Sequence, residues 1–191
     1  MIHGVNGHVP VTLNDGDQPA ETVGYNLNHT CIRVKDLEVS LKFYRDLLGM
    51  RSIFYVDSKS FVVYYLGYPK RGTQQTGEEI LADRLQRSGL LELIYFKNEK
   101  QNTEFMGNRE IHPYHSGFCH LGLCVPSVPK AMKRFKEHGV KIVKDVGELP
   151  TGAMYGCDDE LAERFAGLVR RIGFISDPDG YWYVPPPSSI S

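Results

Sequence analysis

Residues 29–49, HTCIRVKDLEVSLKFYRDLLG, decide the fold because they combine a strand, a helix and a turn. The strand is predicted at 27–34, and Asp36 can cap the helix that follows it. Apolar residues at helical spacing form one predicted buried face: Leu37, Leu41, Tyr44 and Leu48. Gly49 ends the helix. Three further β-rich runs complete a βαβββ unit, and they lie at 51–56, 61–66 and 90–96.

A second stretch, HLGLCVPSVPKAMKRFKEHG at 120–139, repeats this order. His29 and His120 lie 91 positions apart. The same offset aligns Val34 with Val125, Leu41 with Met132, Tyr44 with Phe135, and Asp46 with Glu137. In the last strand of each unit the offset is 92, which pairs Glu92 with Val184. Two copies of one unit therefore follow each other, and two copies are too few for a solenoid.

The repeat predicts an α+β fold of paired βαβββ modules. In the second unit Ser127 can cap the helix, Gly139 ends it, and DPDG at 177–180 is a turn signature. Its strands are predicted at 118–125, 140–146, 170–176 and 181–184. The predicted organisation is a polar N-terminal arm at 1–24, a first module at 25–97, a linker loop at 98–117, a second module at 118–185 and a tail at 186–191.

Composition narrows the partners and the compartment. The formal net charge of the 191 residues is −1, with both signs interspersed, so nothing favours nucleic acid or an anionic membrane as a partner. No apolar run approaches the ~20 residues of a membrane span, and the N-terminal residues lack the apolar region of a signal peptide. No Cys-x-x-Cys pair occurs, so free thiols and a cytoplasmic location are expected for Cys31, Cys119, Cys124 and Cys157.

Three residues form a candidate metal site. His29 and His120 occupy the same place in the first strand of each module. Glu92 lies in the apolar strand LLELIYF, where a buried carboxylate is costly unless it is paired or bound to a metal. A single strand histidine is more often a packed or surface residue, so the prediction depends on all three together. Two imidazoles and one carboxylate hold a divalent transition ion and leave coordination positions open.

Several motifs resemble the glyoxalase I family of the vicinal oxygen chelate superfamily. They are RVKD, SLKFY, LLGM, LEL, GF-x-H-x-G and DPDGYW, and they occur in family order over about residues 25–184. The resemblance implies paired βαβββ modules around a metal-holding cavity, with Zn, Ni, Co, Fe or Mn as the divalent metal. It carries three of the family's four ligands onto His29, Glu92 and His120. The fourth ligand position falls on Val184, where the family has Glu.

The departures from the family pattern bear on catalysis. The family's fourth-position Glu is regarded as the proton-carrying base, and valine cannot take that role. Glu92 and His115 are the remaining candidate catalytic groups, with His112 and Glu110 nearby. The expected substrate-binding residues are Arg33, Phe96, Ser116, Trp182 and Val184. Arg33 matches a family arginine that holds glutathione, but Phe96 and Ser116 replace an Asn and an Arg.

These observations leave several functions open. We favour a divergent glyoxalase I-like lyase or isomerase that acts on a small substrate with vicinal oxygens, without glutathione, as in specialised metabolism. The alternatives are an ordinary lactoylglutathione lyase, a non-haem iron dioxygenase of the extradiol type, and a binding protein without turnover. The resemblance also implies a homodimer. An apparent insertion at about 156–168 is a lid or a surface decoration.

Overall fold

The computed structural model describes residues 16–98, 118–149 and 166–185. The chain divides into two compact units. Among the described residues, 16–98 belong to the first unit, called module one here, and 118–149 with 166–185 belong to the second, called module two. No helix in the described parts of the chain is long and apolar enough to cross a membrane.

Module one is a four-stranded sheet with two short helices. Its elements are β1 (His29–Val34), α1 (Leu37–Leu41), β2 (Arg51–Asp57), β3 (Phe61–Gly67), α2 (Gly77–Ala82) and β4 (Leu90–Phe96). Short 3-10 turns lie at Ala20–Thr22 and Arg84–Gln86, and α1 continues with wider π-type turns over Lys42–Leu47. The strand order is β1-β4-β3-β2, with β1 and β4 parallel and the other pairs antiparallel. Strands β4 and β3 are therefore central.

The sequence signals act in module one as predicted. The side chain of Asp36 accepts a hydrogen bond from the Val39 N–H, which caps α1. Leu41 and Tyr44 are buried, and Gly49 has a φ of +80° at the point where the helical segment ends. The segment between β3 and β4 contains α2, which begins with a capping box between Thr76 and Glu79.

The sheet of module two has the same topology with shorter strands. The elements of module two are β5 (Leu121–Gly122), α3 (Val128–Glu137), β6 (Lys141–Lys144), α4 (Ala166–Val169), β7 (Phe174–Ser176) and β8 (Trp182–Val184). The strand order β5-β8-β7-β6 corresponds strand for strand to that of module one. The predicted apolar face of α3 is buried through Val128, Met132 and Phe135. These matching sheets confirm the predicted α+β fold of paired βαβββ modules.

Two predictions for module two are wrong in detail. Strand β5 covers two residues, not the predicted 118–125. Its partner β8 has three residues and is followed by Pro185, which has no N–H with which to extend the pairing. Ser127 stands at the start of α3, but its side chain makes no capping hydrogen bond.

Some predicted segments lie wholly or largely outside the described residues. These are the first part of the polar arm, the linker loop apart from Asn98, the tail, and most of the insertion, whose last residues fall in α4. Cys31, Cys119 and Cys124 are not in disulfides, and Cys157 lies outside the described residues. The predicted domain boundaries stay predictions.

Candidate metal centre

Four polar side chains share one face of the module one sheet. His29 and Cys31 come from β1, Tyr65 from β3 and Glu92 from β4. The sheet register places them together, because Cys31 is the parallel partner of Glu92 and Tyr65 is its antiparallel partner. Residues directly opposite each other in neighbouring strands project to the same side. The sheet therefore gathers an imidazole, a thiol, a phenol and a carboxylate.

Glu92 is the centre of this cluster. Its Oε2 lies 3.3 Å from His29 Nε2. Tyr65 donates a short hydrogen bond to the same Oε2, and its hydroxyl also lies 3.3 Å from His29 Nε2. The Cys31 thiol donates to the other carboxylate oxygen, Oε1, at 3.3 Å. The His29 side chain is 39% exposed and that of Glu92 is 15% exposed, so the imidazole edge of the cluster is open to a ligand.

Asn28 determines which ring nitrogen of His29 carries the proton. The Asn28 amide nitrogen donates to the backbone carbonyls of Arg84 and Arg87 at 2.7 and 2.8 Å. Its oxygen is left to accept from His29 Nδ1 at 3.0 Å. When the imidazole is neutral, a proton on Nδ1 leaves the Nε2 lone pair directed towards Glu92 Oε2, so two acceptor atoms face each other. A cation beside both atoms relieves that repulsion, and the donor set suits a divalent transition metal.

The two donors to Glu92 stay protonated near neutral pH. Burial, followed by the hydrogen bond to Glu92, raises the pKa of the Cys31 thiol to about 12. The same two causes, in the same order, raise the pKa of the Tyr65 phenol above its ordinary range. Both groups therefore keep their hydrogen and continue to donate to the carboxylate.

The other predicted histidine, His120, is a partly exposed residue of module two that lies beside an aromatic ring. The His120 ring meets the Phe174 ring edge to face, with centroids 6.0 Å apart. Burial lowers the pKa of His120, which favours the neutral imidazole that binds metals. The Phe174 ring also meets the Trp182 ring edge to face, with ring centroids 6.1 Å apart.

The sheet register gives the module two equivalent of Glu92. Gly122 is the parallel partner of Val184 and lies two residues after His120, as Cys31 is the partner of Glu92 and lies two residues after His29. Val184 therefore occupies the Glu92 position, and it is only 6% exposed. Strand β8 is therefore equivalent to β4, but it lacks the carboxylate that β4 carries at Glu92.

A third equivalence follows from the antiparallel pairs. Ile175 pairs with Tyr183 and Ser176 with Trp182, which puts Phe174 opposite Val184. In module one Tyr65 is opposite Glu92. The Tyr65–Glu92 pair is therefore replaced by an apolar pair of phenylalanine and valine.

The remaining predicted site residues are only partly described. The Arg33 guanidinium lies over the Phe96 ring, 4.9 Å from its centroid, and both belong to the module one sheet. His115 and Ser116 lie outside the described residues. Within the described residues no group of three or more His, Cys, Asp and Glu side chains gathers as a metal site. Module one itself brings together two of the three predicted ligands, His29 and Glu92.

The contacts of Tyr65 and Cys31 with Glu92 were not predicted from the sequence. Tyr65 is one of several strand aromatics, and only the β3–β4 register singles it out as the partner of Glu92. Cys31 did carry a signal, because it follows His29 at the two-residue spacing that keeps both on one face of a strand.

Comparison with known proteins identifies the family. The model of the Glyoxalase/Bleomycin resistance protein/Dioxygenase superfamily matches residues 26–184. The chain belongs to this superfamily. A lactoylglutathione lyase of Pseudomonas aeruginosa is 33% identical over 85% of this chain and 82% of its own length. The predicted resemblance to glyoxalase I is thereby confirmed.

Two further glyoxalase superfamily relatives show the extent of the similarity. A lactoylglutathione lyase of Schizosaccharomyces pombe is 32% identical over 83% of this chain, and the match spans 46% of that protein, so the chain covers about half of its length. The trypanothione-dependent glyoxalase I of Leishmania major has a similar fold, with a TM-score of 0.55 and 23% identity. That comparison covers 85% of this chain and 86% of the Leishmania chain.

Proposed function

We propose that the chain is a divergent glyoxalase I-like metalloenzyme, a lyase or isomerase for a small substrate with vicinal oxygens, and that it does not depend on glutathione. The observation that carries this proposal is the matching register of the two sheets, which puts Val184 at the Glu92 position. The proposed site keeps two imidazoles and one carboxylate. It lacks the family's second carboxylate, which also acts as base.

The proposed ligands are His29 and Glu92 from module one and His120 from module two. The 3.3 Å approach of His29 Nε2 and Glu92 Oε2 supports the first two, since ligands of one ion with bonds of about 2.0–2.2 Å come this close. The neutral imidazole favoured at His120 supports the third. When bound, a divalent ion supplies Lewis acidity to a pair of substrate oxygens. Its identity among Zn, Ni, Co, Fe and Mn is left open.

Side chains of the chain itself would bind the substrate and carry the proton. We assign the proton-carrying role to His115, because Val184 cannot take it and Glu92 Oε1 and Oε2 both already accept hydrogen bonds. Apolar contacts would come from Trp182 and Val184, which favours a substrate less polar than a glutathione adduct. The cation–π contact of Arg33 with Phe96 holds this arginine over the ring in place of the family's Asn contact.

Two other functions have support of their own. The names of the relatives from P. aeruginosa and S. pombe favour a lactoylglutathione lyase. The set of two histidines and one carboxylate, together with the dioxygenases in the superfamily, favours an extradiol-type oxygenase with iron. We place the enzyme in the cytoplasm, with no nucleic acid or membrane as partner.

The glutathione assay separates the first two functions. The full chain is loaded with each divalent metal in turn and supplied with methylglyoxal and glutathione, and thioester formation is followed. We expect a turnover about 10²–10⁴ below that of the P. aeruginosa relative measured alongside, because Val184 replaces the Glu that the family uses as general base. A turnover equal to that of the relative would refute the proposal in favour of lactoylglutathione lyase.

Oxygen uptake tests the dioxygenase alternative, and metal content tests the assignment of the ligands. Consumption of oxygen by the iron-loaded chain with a catechol would favour the dioxygenase. We expect one divalent ion per chain, lost in His29→Ala and in His120→Ala. His138→Ala is the matched control, because His138 ends α3 and its ring bonds the Arg134 carbonyl. Equal metal content in all three variants would refute the ligand assignment.

A further inference from the structure

Both carboxylate oxygens of Glu92 accept a hydrogen bond from a neighbouring strand. Tyr65 in β3 donates to Oε2, and Cys31 in β1 donates to Oε1 at 3.3 Å. The two donors approach from opposite sides, because β4 lies between β1 and β3 in the sheet. Rotation of the carboxylate about its last bond would break both contacts, so the group is held in one orientation.

Module two serves as an internal comparison for these donors. The register aligns Tyr65 with Phe174 and Cys31 with Gly122, and neither of the module two residues has a side-chain donor. The carboxylate is absent from the same module. Both donors therefore occur in module one, which has the Glu92 carboxylate, and both are missing from module two, which has Val184 at the equivalent position.

Tyr65 also places a polar atom beside the second ligand. Its hydroxyl oxygen lies 3.3 Å from His29 Nε2 while its hydrogen is used on Glu92. The imidazole is itself fixed from behind through Asn28. The edges of His29 and Glu92 that face each other are consequently oriented before any ion arrives.

We propose that Tyr65 and Cys31 are positioning residues that hold the Glu92 carboxylate in the orientation of a metal ligand. This inference rests on the proposed metal-dependent function. On this inference Glu92 acts as a fixed ligand and not as a mobile proton carrier. Preorganised ligands bind an ion more tightly because less conformational freedom is lost on binding.

The test is a cobalt titration of the full chain. The variants are Tyr65→Phe, Cys31→Ala and the two combined, and the absorption spectrum of bound Co²⁺ reports affinity and coordination. Positioning groups around metal ligands typically contribute 10–100-fold in affinity. We expect a loss of about that size for Tyr65→Phe, a smaller loss for Cys31→Ala because a thiol is a weak donor, and an altered spectrum in the double variant.

Two matched controls separate this role from general damage. Tyr64→Phe removes the hydroxyl of the adjacent tyrosine, which bonds Ser52 Oγ at 2.9 Å. Cys124→Ala removes an exposed free thiol in module two. Both should bind Co²⁺ as the wild type does. A crystal structure of metal-free Tyr65→Phe gives a second readout, in which the Glu92 carboxylate should leave its position beside His29.

The outcomes distinguish the positioning role from the proposed metal function on which it rests. Wild-type Co²⁺ affinity and an unmoved Glu92 in Tyr65→Phe would overturn the positioning role while leaving the metal site intact. Failure of the wild-type chain to bind any Co²⁺ would refute the proposed metal function, and the ligand role of Glu92 with it.

Discussion

Glu92 and Val184 occupy the same place in two copies of one sheet, and they differ by a negative charge. A site with two neutral imidazoles and one carboxylate leaves a divalent ion with a net charge of +1. That ion attracts an anionic bidentate substrate more strongly than one neutralised by two carboxylates. It also keeps one more coordination position open.

The variant Val184→Glu supplies the missing carboxylate and tests this effect of charge with a single side chain. We expect metal affinity to rise about tenfold or more, because a ligand is added. Activity on the native substrate should fall, and methylglyoxal activity with glutathione should rise slightly. Metal titration of wild type and variant gives the measurement, with Val184→Gln as the control that has the shape of glutamate without its charge.

Thermal unfolding of the same variant provides an independent readout. Val184 is buried, so a new carboxylate there lowers the free energy of unfolding unless it is bound to metal. The melting temperature of Val184→Glu should therefore be low without metal and recover when metal is added. Unchanged metal affinity would show that Val184 is not at the fourth ligand position.

Residue-level prediction from the sequence depended on the repeat offset. His29 and His120, and Glu92 and Val184, are related by 91 and 92 positions, so their equivalence was predicted correctly. Tyr65 and Phe174 lie 109 positions apart, because the segment before β7 is longer than its counterpart. No single offset finds that pair. Only the hydrogen-bonded register of the strands does, and hydrogen bonding between distant strands leaves no periodic signal in the sequence.

Between β7 and β8 a single buried side chain builds the turn that positions Phe174 and Val184. Asp177 is 4% exposed, and its Oδ1 accepts from the backbone N–H groups of Asp179 and Tyr181 at 3.0 and 2.7 Å. The motif DPDG predicted this turn, since Asp and Gly favour such geometry. The prediction was accurate because the hydrogen bonds of the turn are local in sequence.

Asp177→Ala should destabilise module two. Two buried N–H groups lose their acceptor, which costs about 1–3 kcal/mol each in free energy of unfolding. Denaturant unfolding followed by the fluorescence of Trp182, the only tryptophan, measures the loss where it occurs. Asp177→Asn is the control, because its side-chain oxygen can still accept both bonds. Equal midpoints for wild type and Asp177→Ala would contradict this account of the turn.

For the whole molecule, the sequence predicted the family and the paired modules because both depend on order and periodicity along the chain. The third proposed ligand, His120, belongs to the other module, and assembly is a property of surfaces that no periodic pattern encodes. We expect a homodimer in which module one of one chain faces module two of its partner.

Mixing two inactive variants tests both the dimer and the shared site. His29→Ala and His120→Ala chains are unfolded together, refolded and compared with each variant alone. If each site takes one module from each chain, half of the dimers are mixed and each has one intact site, so metal content should recover to about a quarter of wild type. Light scattering at micromolar concentration gives the mass. A monomer with metal bound, or no recovery on mixing, would contradict the shared site.

The matching strand register has a consequence for how this chain can change. Valine and glutamate codons can differ at a single base, and the backbone at 184 already has the place in the sheet that Glu92 has in module one. A point mutation there would deliver a carboxylate to a prepared position without any change in the strands around it. From a valine codon that ends in A or G, a glutamate at 184 is one nucleotide away, and a population under selection for it could reach it without passing through an altered fold.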